Sequence, residues 1–138
     1  MSLSGMTAVV TGAAQGMGRE FALTLALAGS DIAICDINDE QLEKTAGEIR
    51  QSTAVKVIAA QVDVAKEQEV AAFGQSVERE TGGVDILVNN AAIPPLHFID
   101  DITATEWDTV LAVNLKAYFL FAKTVLPTMR KKKFGRII

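Results

Sequence analysis

Four times along this chain a short, β-rich apolar run gives way to a longer stretch of helical period, and that grammar predicts an α/β domain in which helices pack on the faces of a parallel sheet. Residues 6–10 form the first run, ending in Thr11-Gly12, and residues 17–28 then behave as a helix stopped at Gly29. Residues 31–35 (DIAIC) read as the second strand. The next helix, over 40–50, places Leu42, Ala46 and Ile49 on one face and sets Glu40 four residues before Lys44 as a favourable surface pair. A third strand is expected over 55–62. After it, a helix over about 66–81 carries Val70, Phe73 and Val77 at spacings of three and four and stops at Gly82-Gly83. Residues 84–88 (VDILV) are the fourth strand, and residues 135–138 read as the opening of a fifth.

Thr103-Ala-Thr-Glu106 has the form of a capping box, with a threonine hydroxyl for a first-turn amide and a glutamate that reaches back. A long helix is expected from there. Around its axis apolar side chains point in nearly every direction, and only Lys116 and Lys123 share a narrow polar strip. A helix of that kind is covered on both sides. One cover is expected to be the sheet and the other a helix of this chain or of a partner subunit, which makes a homodimer or homotetramer through this helix the expected assembly.

With 49% hydrophobic and 22% charged residues over 138 positions, the chain is globular rather than disordered and fits one domain, residues 1–138. Seventeen acidic against thirteen basic residues leave a formal charge of −4, an unfavourable balance for holding nucleic acid. The balance is uneven. Arg130, Lys131, Lys132, Lys133 and Arg136 lie in the last nine positions, leaving eight basic against seventeen acidic residues, a formal −9, before them. Cations suit a helix carboxyl end, and Gly135 reads as the stop. Cys35 is the one cysteine, so no internal disulfide or cysteine-built metal site is expected, and it reads as a small buried apolar residue in a cytoplasmic protein. No membrane span is expected, because Lys116 and Lys123 interrupt the apolar stretch after Trp107. Nor is a signal peptide, because no basic residue precedes Arg19 and the apolar segment 7–11 is short; the domain is expected to begin almost at residue one.

In an open parallel sheet, ligands bind beyond the carboxyl ends of the strands. After the first strand, residues 11–18 (TGAAQGMG) form a strand-to-helix turn with Gly12, Gly16 and Gly18, flanked by Gln15 and Met17. Glycines there allow a tight turn and leave the helix-start amides free to hold a pyrophosphate. It is not a P-loop, since no Gly-Lys-Ser/Thr follows. Asp36, at the end of the second strand and eighteen residues after Gly18, suits the hydroxyls of an adenosine ribose and would repel a 2′-phosphate. Its neighbours Gln15 and Ile37 supply no cation, which favours NAD over NADP. Asp36 also fits a plain turn position, with Asn38 the better helix cap. Asp63-Val64 after the third strand places a carboxylate where an adenine amino group is met, and equally suits a turn. After the fourth strand, Asn89 and Asn90 are followed by Ala91 and Ala92, small enough for a flat ligand to lie against backbone. The coincidence of four such strand ends predicts a Rossmann-like, doubly wound dinucleotide site.

These residues resemble the cofactor-binding half of the short-chain dehydrogenase/reductase family over essentially the whole chain. Residues 11–18 fit its T-G-x-x-x-G-x-G pattern, Asp36 its NAD-selecting acid, and Asp63 its adenine-contacting aspartate. Residues 89–92 resemble its N-N-A-G motif, with Ala92 in place of the glycine, and Val113-Asn114-Leu115 resembles its V-N-L segment. The resemblance implies hydride transfer between a nicotinamide and a small alcohol or carbonyl substrate, with Asn114 as the active-site asparagine. It also implies a serine, a tyrosine and a lysine that lowers the tyrosine's pKa, since an unassisted phenol is a poor base at neutral pH. The one tyrosine, Tyr118, has Ala122 where the Y-x-x-x-K spacing needs lysine. Lys123 lies about 140° away around a helix, so Tyr118 reads as a packing residue. The sequence is therefore expected to end at the start of the fifth strand, before that machinery, and the 138 residues alone to be inactive. The alternative is a non-catalytic NAD-binding module or truncated partner subunit. His97, the one histidine, lies in the segment after the fourth strand that borders the substrate in this family; on its own it reads as a surface residue.

Overall fold

The computed structural model describes residues 2–138. It contains β1 (Thr7–Thr11), α1 (Gly16–Leu27), β2 (Asp31–Asp36), α2 (Asp39–Ser52), β3 (Val57–Gln61), α3 (Glu67–Thr81) and β4 (Ile86–Val88). There follow α4 (Ala104–Leu111), a π-helical turn (Ala112–Lys116), α5 (Ala117–Lys132) and β5 (Arg136–Ile137). All strand pairs are parallel and the order is β3-β2-β1-β4-β5. The chain thus winds outward from β1 to β3, then returns to lay β4 against the other side of β1. That reversal opens a crevice at the carboxyl ends of β1 and β4, where doubly wound sheets bind ligands.

Every residue of β1 is buried, because both faces of the sheet are covered. Ala8, Val10, Ile32 and Ile34 point to one face, where Ala22 of α1 and Leu42, Ala46 and Ile49 of α2 meet them. Val9, Ala33 and Cys35 point to the other, against Phe73 and Val77 of α3 and Leu120, Phe121 and Val125 of α5. Full burial of the valine, leucine, isoleucine and phenylalanine side chains among these contributes about 1.5–3 kcal/mol each. Phe73 and Phe121 meet edge-on at 6.4 Å and 68°, joining α3 to α5. Cys35 is fully buried and its thiol pKa is pushed up by desolvation, so it is a packing residue as expected. Asp85 closes the lower end of the sheet: its carboxylate accepts the Thr7 amide at 2.9 Å and the Lys132 ammonium at 2.9 Å.

Several boundaries differ from the sequence reading. The fourth strand shortens to three residues, since Asp85 turns its side chain to Thr7 and Lys132. Asn38 caps α2, accepting the Gln41 amide at 3.1 Å, as its sequence position indicates. The Thr103 hydroxyl caps α4 through the Glu106 amide at 3.1 Å, but the Glu106 carboxylate does not complete the capping box; it binds a preceding loop. Lys133, in left-handed conformation at φ 53°, ends α5, not Gly135, and Lys132 pairs with Asp85 in place of capping the helix.

Within this chain the long helix is covered on one side. Ala117, Leu120, Phe121, Val125 and Met129 face the core, while Trp107, Leu111, Leu115 and Phe119, each four residues apart, are 37–63% exposed. The rod Ala104–Lys132 reaches membrane-spanning length and hydropathy, so Lys116 and Lys123 interrupt its apolar character less than the sequence reading held. Its buried face nevertheless belongs to the sheet's core.

Gly47 sits in the middle of α2, where an added Cβ meets nothing within 4 Å. Gly47→Ala is expected to stabilise the fold by about 0.5–1 kcal/mol through helix propensity, raising the midpoint of thermal unfolding by about 2–4 °C. A lower midpoint by circular dichroism would contradict this account of α2.

Candidate functional site

The end of β1 and the loop after β4 are knotted together by two side chains. The Thr11 hydroxyl accepts the backbone amides of Asn90 and Ala91, both at 3.0 Å, and the Asn90 side-chain amide donates to the Thr11 and Gly12 carbonyls, again at 3.0 Å. Asn90 thereby holds the glycine turn in place with its own amide group. Close approach is what the glycines permit here. A Cβ on Gly18 would lie 2.2 Å from the Gly12 carbonyl oxygen and 2.5 Å from Asn90 Nδ2, and one on Gly12, at φ +64°, would lie 2.8 Å from Ala91 Cα. Gly16 differs: it has nothing within 4 Å and opens to solvent.

The start of α1 is electrostatically bare. Gln15 occupies the cap position without a side-chain cap bond, and no acidic residue lies in the first turn. By contrast α2 and α4 are capped by Asn38 and Thr103. The helix-start amides and the positive end of the dipole, at the carboxyl end of β1, are therefore not compensated by the helix's own side chains, an arrangement that accepts an anion. Met17, on the first turn, is exposed.

Asp36 ends β2 with its carboxylate accepting the Ala14 amide and the Asn38 amide, one on each oxygen and each at 3.0 Å. Asp36 thus braces the turn at the end of β2, and each of its oxygens keeps a further lone pair. A cavity of about 140 Å³ is lined by Gly12, Asp36, Ile37, Asp63, Val64, Ala91, Ala92 and Val113 together. Val62 and Ile93 complete its walls and were missed in the sequence, although both flank the chosen motifs. Gln15, Gly16, Met17, Gly18, Asn90 and Asn114 lie outside that lining.

Asn114 sits in the π-helical turn, and its side chain pairs with the backbone of Ile93 through both its oxygen and its nitrogen. Its Oδ1 accepts the Ile93 amide and its Nδ2 donates to the Ile93 carbonyl, both at 2.9 Å. The asparagine thus fixes the loop that walls the cavity. A second clasp holds the next stretch of the same loop. Glu106 Oε1 accepts the Leu96 and His97 amides at 2.6 and 3.1 Å, and Oε2 lies 2.7 Å from His97 Nδ1. The His97 ring and then these amides hold the Glu106 carboxyl below its ordinary value of 4.5. His97 therefore has a structural partner that its isolation in the sequence did not reveal.

The profile of the family described as short chain dehydrogenase matches residues 6–138. Among the relatives, a short chain dehydrogenase/reductase of Macrophomina phaseolina is 39% identical over 132 residues, covering 93% of this chain and 74% of that protein. The 5-keto-D-gluconate 5-reductase of Escherichia coli is 35% identical over 137 residues, covering 99% of this chain and 54% of that protein. A metagenomic short-chain oxidoreductase, solved in complex with NADP, superposes with a TM-score of 0.93 at 33% identity, covering 99% of this chain and 62% of that one. The chain thus spans about half to three quarters of the length of these proteins.

Two predictions follow from this geometry. Gly18→Ala is expected to destabilise the fold by about 1–3 kcal/mol, because its methyl group meets backbone that is already bonded; an unchanged denaturant midpoint would refute the knot. Because the folded pKa of Glu106 is lowered, its clasp is complete above pH 4.5 and is lost as pH falls through the lowered value. Hydrogen exchange at Leu96 and His97 should accelerate about tenfold in Glu106→Ala near neutrality, and equal rates in the two proteins would dismiss the clasp.

Proposed function

This chain belongs to the short chain dehydrogenase family, and on that premise we propose that its strand ends hold NAD for hydride transfer to or from a small alcohol or carbonyl substrate. The supporting observation is the gathering of eight chosen residues around one cavity beside an uncapped helix start. The bound nicotinamide supplies the hydride acceptor or donor. In this reading the amides of Gly16, Met17 and Gly18, with Gln15 beside them, hold the pyrophosphate. Asp36 accepts the ribose hydroxyls, Asp63 accepts the adenine amino group, and Ile37, Val64 and Val113 give the base apolar walls. Ala91 and Ala92 leave the backbone open to the ligand, Asn90 keeps the turn in shape, and Asn114 positions the loop through Ile93.

The preference for NAD rests on Asp36. At about 4 Å and an effective dielectric near 20, a carboxylate and a phosphate charge repel by roughly 4 kcal/mol per unit pair. The metagenomic relative is a complex with NADP, so the choice in this chain rests on its own residues. Titration of the protein with NADH and NADPH is expected to give at least about tenfold tighter NADH binding, narrowed in Asp36→Ala. Equal affinities, or tighter NADPH binding, would overturn the assignment.

The 138 residues contain no Y-x-x-x-K, with Ala122 four residues after Tyr118, so on this reading they bind dinucleotide without turning over an alcohol. The exposed line of Trp107, Leu111, Leu115 and Phe119 is proposed as the seam of a homodimer or homotetramer. A non-catalytic NAD-binding module shares the binding behaviour and differs only in lacking turnover in any assembly.

A further inference from the structure

We infer that Glu69, a residue outside the cavity, is a positioning residue for Asp63: it sets the turn after β3 so that the Asp63 carboxylate meets the adenine 6-amino group. This inference rests on the dinucleotide reading above. The observation behind it is an unusual helix start. Lys66 holds the cap position of α3 and makes no side-chain cap bond. Glu69, three residues on, occupies the position from which a capping-box glutamate ordinarily returns to the cap residue's own amide. Here it reaches past Lys66: Oε2 accepts the Asp63 amide at 2.8 Å, while Oε1 takes the Lys66 ammonium at 3.0 Å.

Asp63 is therefore held at both ends. Its backbone is fastened by Glu69, and its carboxylate accepts the Ala65 amide at 3.0 Å with Lys66 Nζ 3.5 Å away. The need for such fastening is visible in the surroundings. Asp63, with Ile37 and Val62, forms a wall between the 140 Å³ cavity and an open groove of about 580 Å³ that runs between β3 and α3. Val62 and Val64 are buried on either side of Asp63, while the Asp63 amide between them takes Glu69 as its partner, so removing Glu69 leaves that amide to water and loosens the Asp63 backbone on the groove side. Glu69 lines the groove and not the cavity, so it acts through Asp63 rather than on a ligand. The Asp63 amide, followed by Lys66, holds the Glu69 carboxyl below its ordinary range, which keeps it an acceptor at neutral pH.

The test compares calorimetric titrations of NADH and of its deamino analogue, in which hypoxanthine replaces adenine and the amino donor becomes a carbonyl acceptor. The native protein is expected to prefer NADH about tenfold, equivalent to about 1.4 kcal/mol. Glu69→Ala should reduce that preference to within about threefold by weakening NADH alone. Glu69→Gln retains an oxygen that can accept the Asp63 amide, and should keep most of the discrimination. Glu69→Asp, one methylene too short for the reach, should behave as Glu69→Ala and serves in its place if that variant is unfolded by circular dichroism. Full discrimination in both shortened variants would overturn the inference, as would a loss in Glu69→Gln as large as in Glu69→Ala, which would assign the effect to charge. A native protein that binds neither dinucleotide would instead overturn the dinucleotide reading, and this inference with it.

Discussion

The site depends on the knot between β1 and β4. Parallel strands bring their carboxyl ends to one edge of the sheet, but they do not by themselves fix the loops that leave that edge. Thr11 and Asn90 do so by exchanging four hydrogen bonds between the two loops. Gly18 allows α1 to begin directly against the Gly12 carbonyl and the Asn90 amide. The direction of α1, and hence of its uncompensated amides, follows from that contact. Asn90, placed in the expected cofactor site by its motif, acts in three dimensions together with Thr11 as a frame for the backbone at that edge of the sheet.

A division of labour among helix starts follows from the same logic. A helix whose first amides are met by a side chain, as in α2 and α4, is closed to a ligand. α1 has neither cap nor acid, so its positive end remains available. α3 is intermediate: its cap residue is silent, and a glutamate from inside the helix turns back to fasten the preceding loop. Glu106 does something similar at α4, where its carboxylate abandons the capping box for the Leu96 and His97 amides. In both places a first-turn glutamate turns back to accept amides of the preceding segment in place of the cap residue's own amide.

The long helix shows where burial arguments from sequence stop. Its apolar circumference is real, but α3 and the sheet cover only the side of Ala117, Phe121 and Val125. The opposite line from Trp107 to Phe119 stays open along the π-helical turn. That turn widens the helix where Asn114 must reach Ile93, an example of a π segment placed at a site rather than in the middle of a featureless rod.

The sequence by itself determined the layer architecture, the parallel sheet and the strand ends that carry the site. Apolar period and glycine placement are local properties, and they leave few ways to bury Ile32, Ile34, Leu42 and Phe73 at once. The chosen residues at 12, 36, 37, 63, 64, 91, 92 and 113 were legible because each lies next to a strand end or on a recognisable motif. Only the tertiary structure decided what those side chains do. It turned Asn90 and Asn114 to backbone partners, gave His97 a carboxylate, ended α5 at Lys133 and bonded Glu69 to the Asp63 amide. The reason is physical: a polar side chain takes whichever donor or acceptor the fold brings within about 3 Å, and that proximity spans up to 80 residues of chain here, a separation no local pattern encodes.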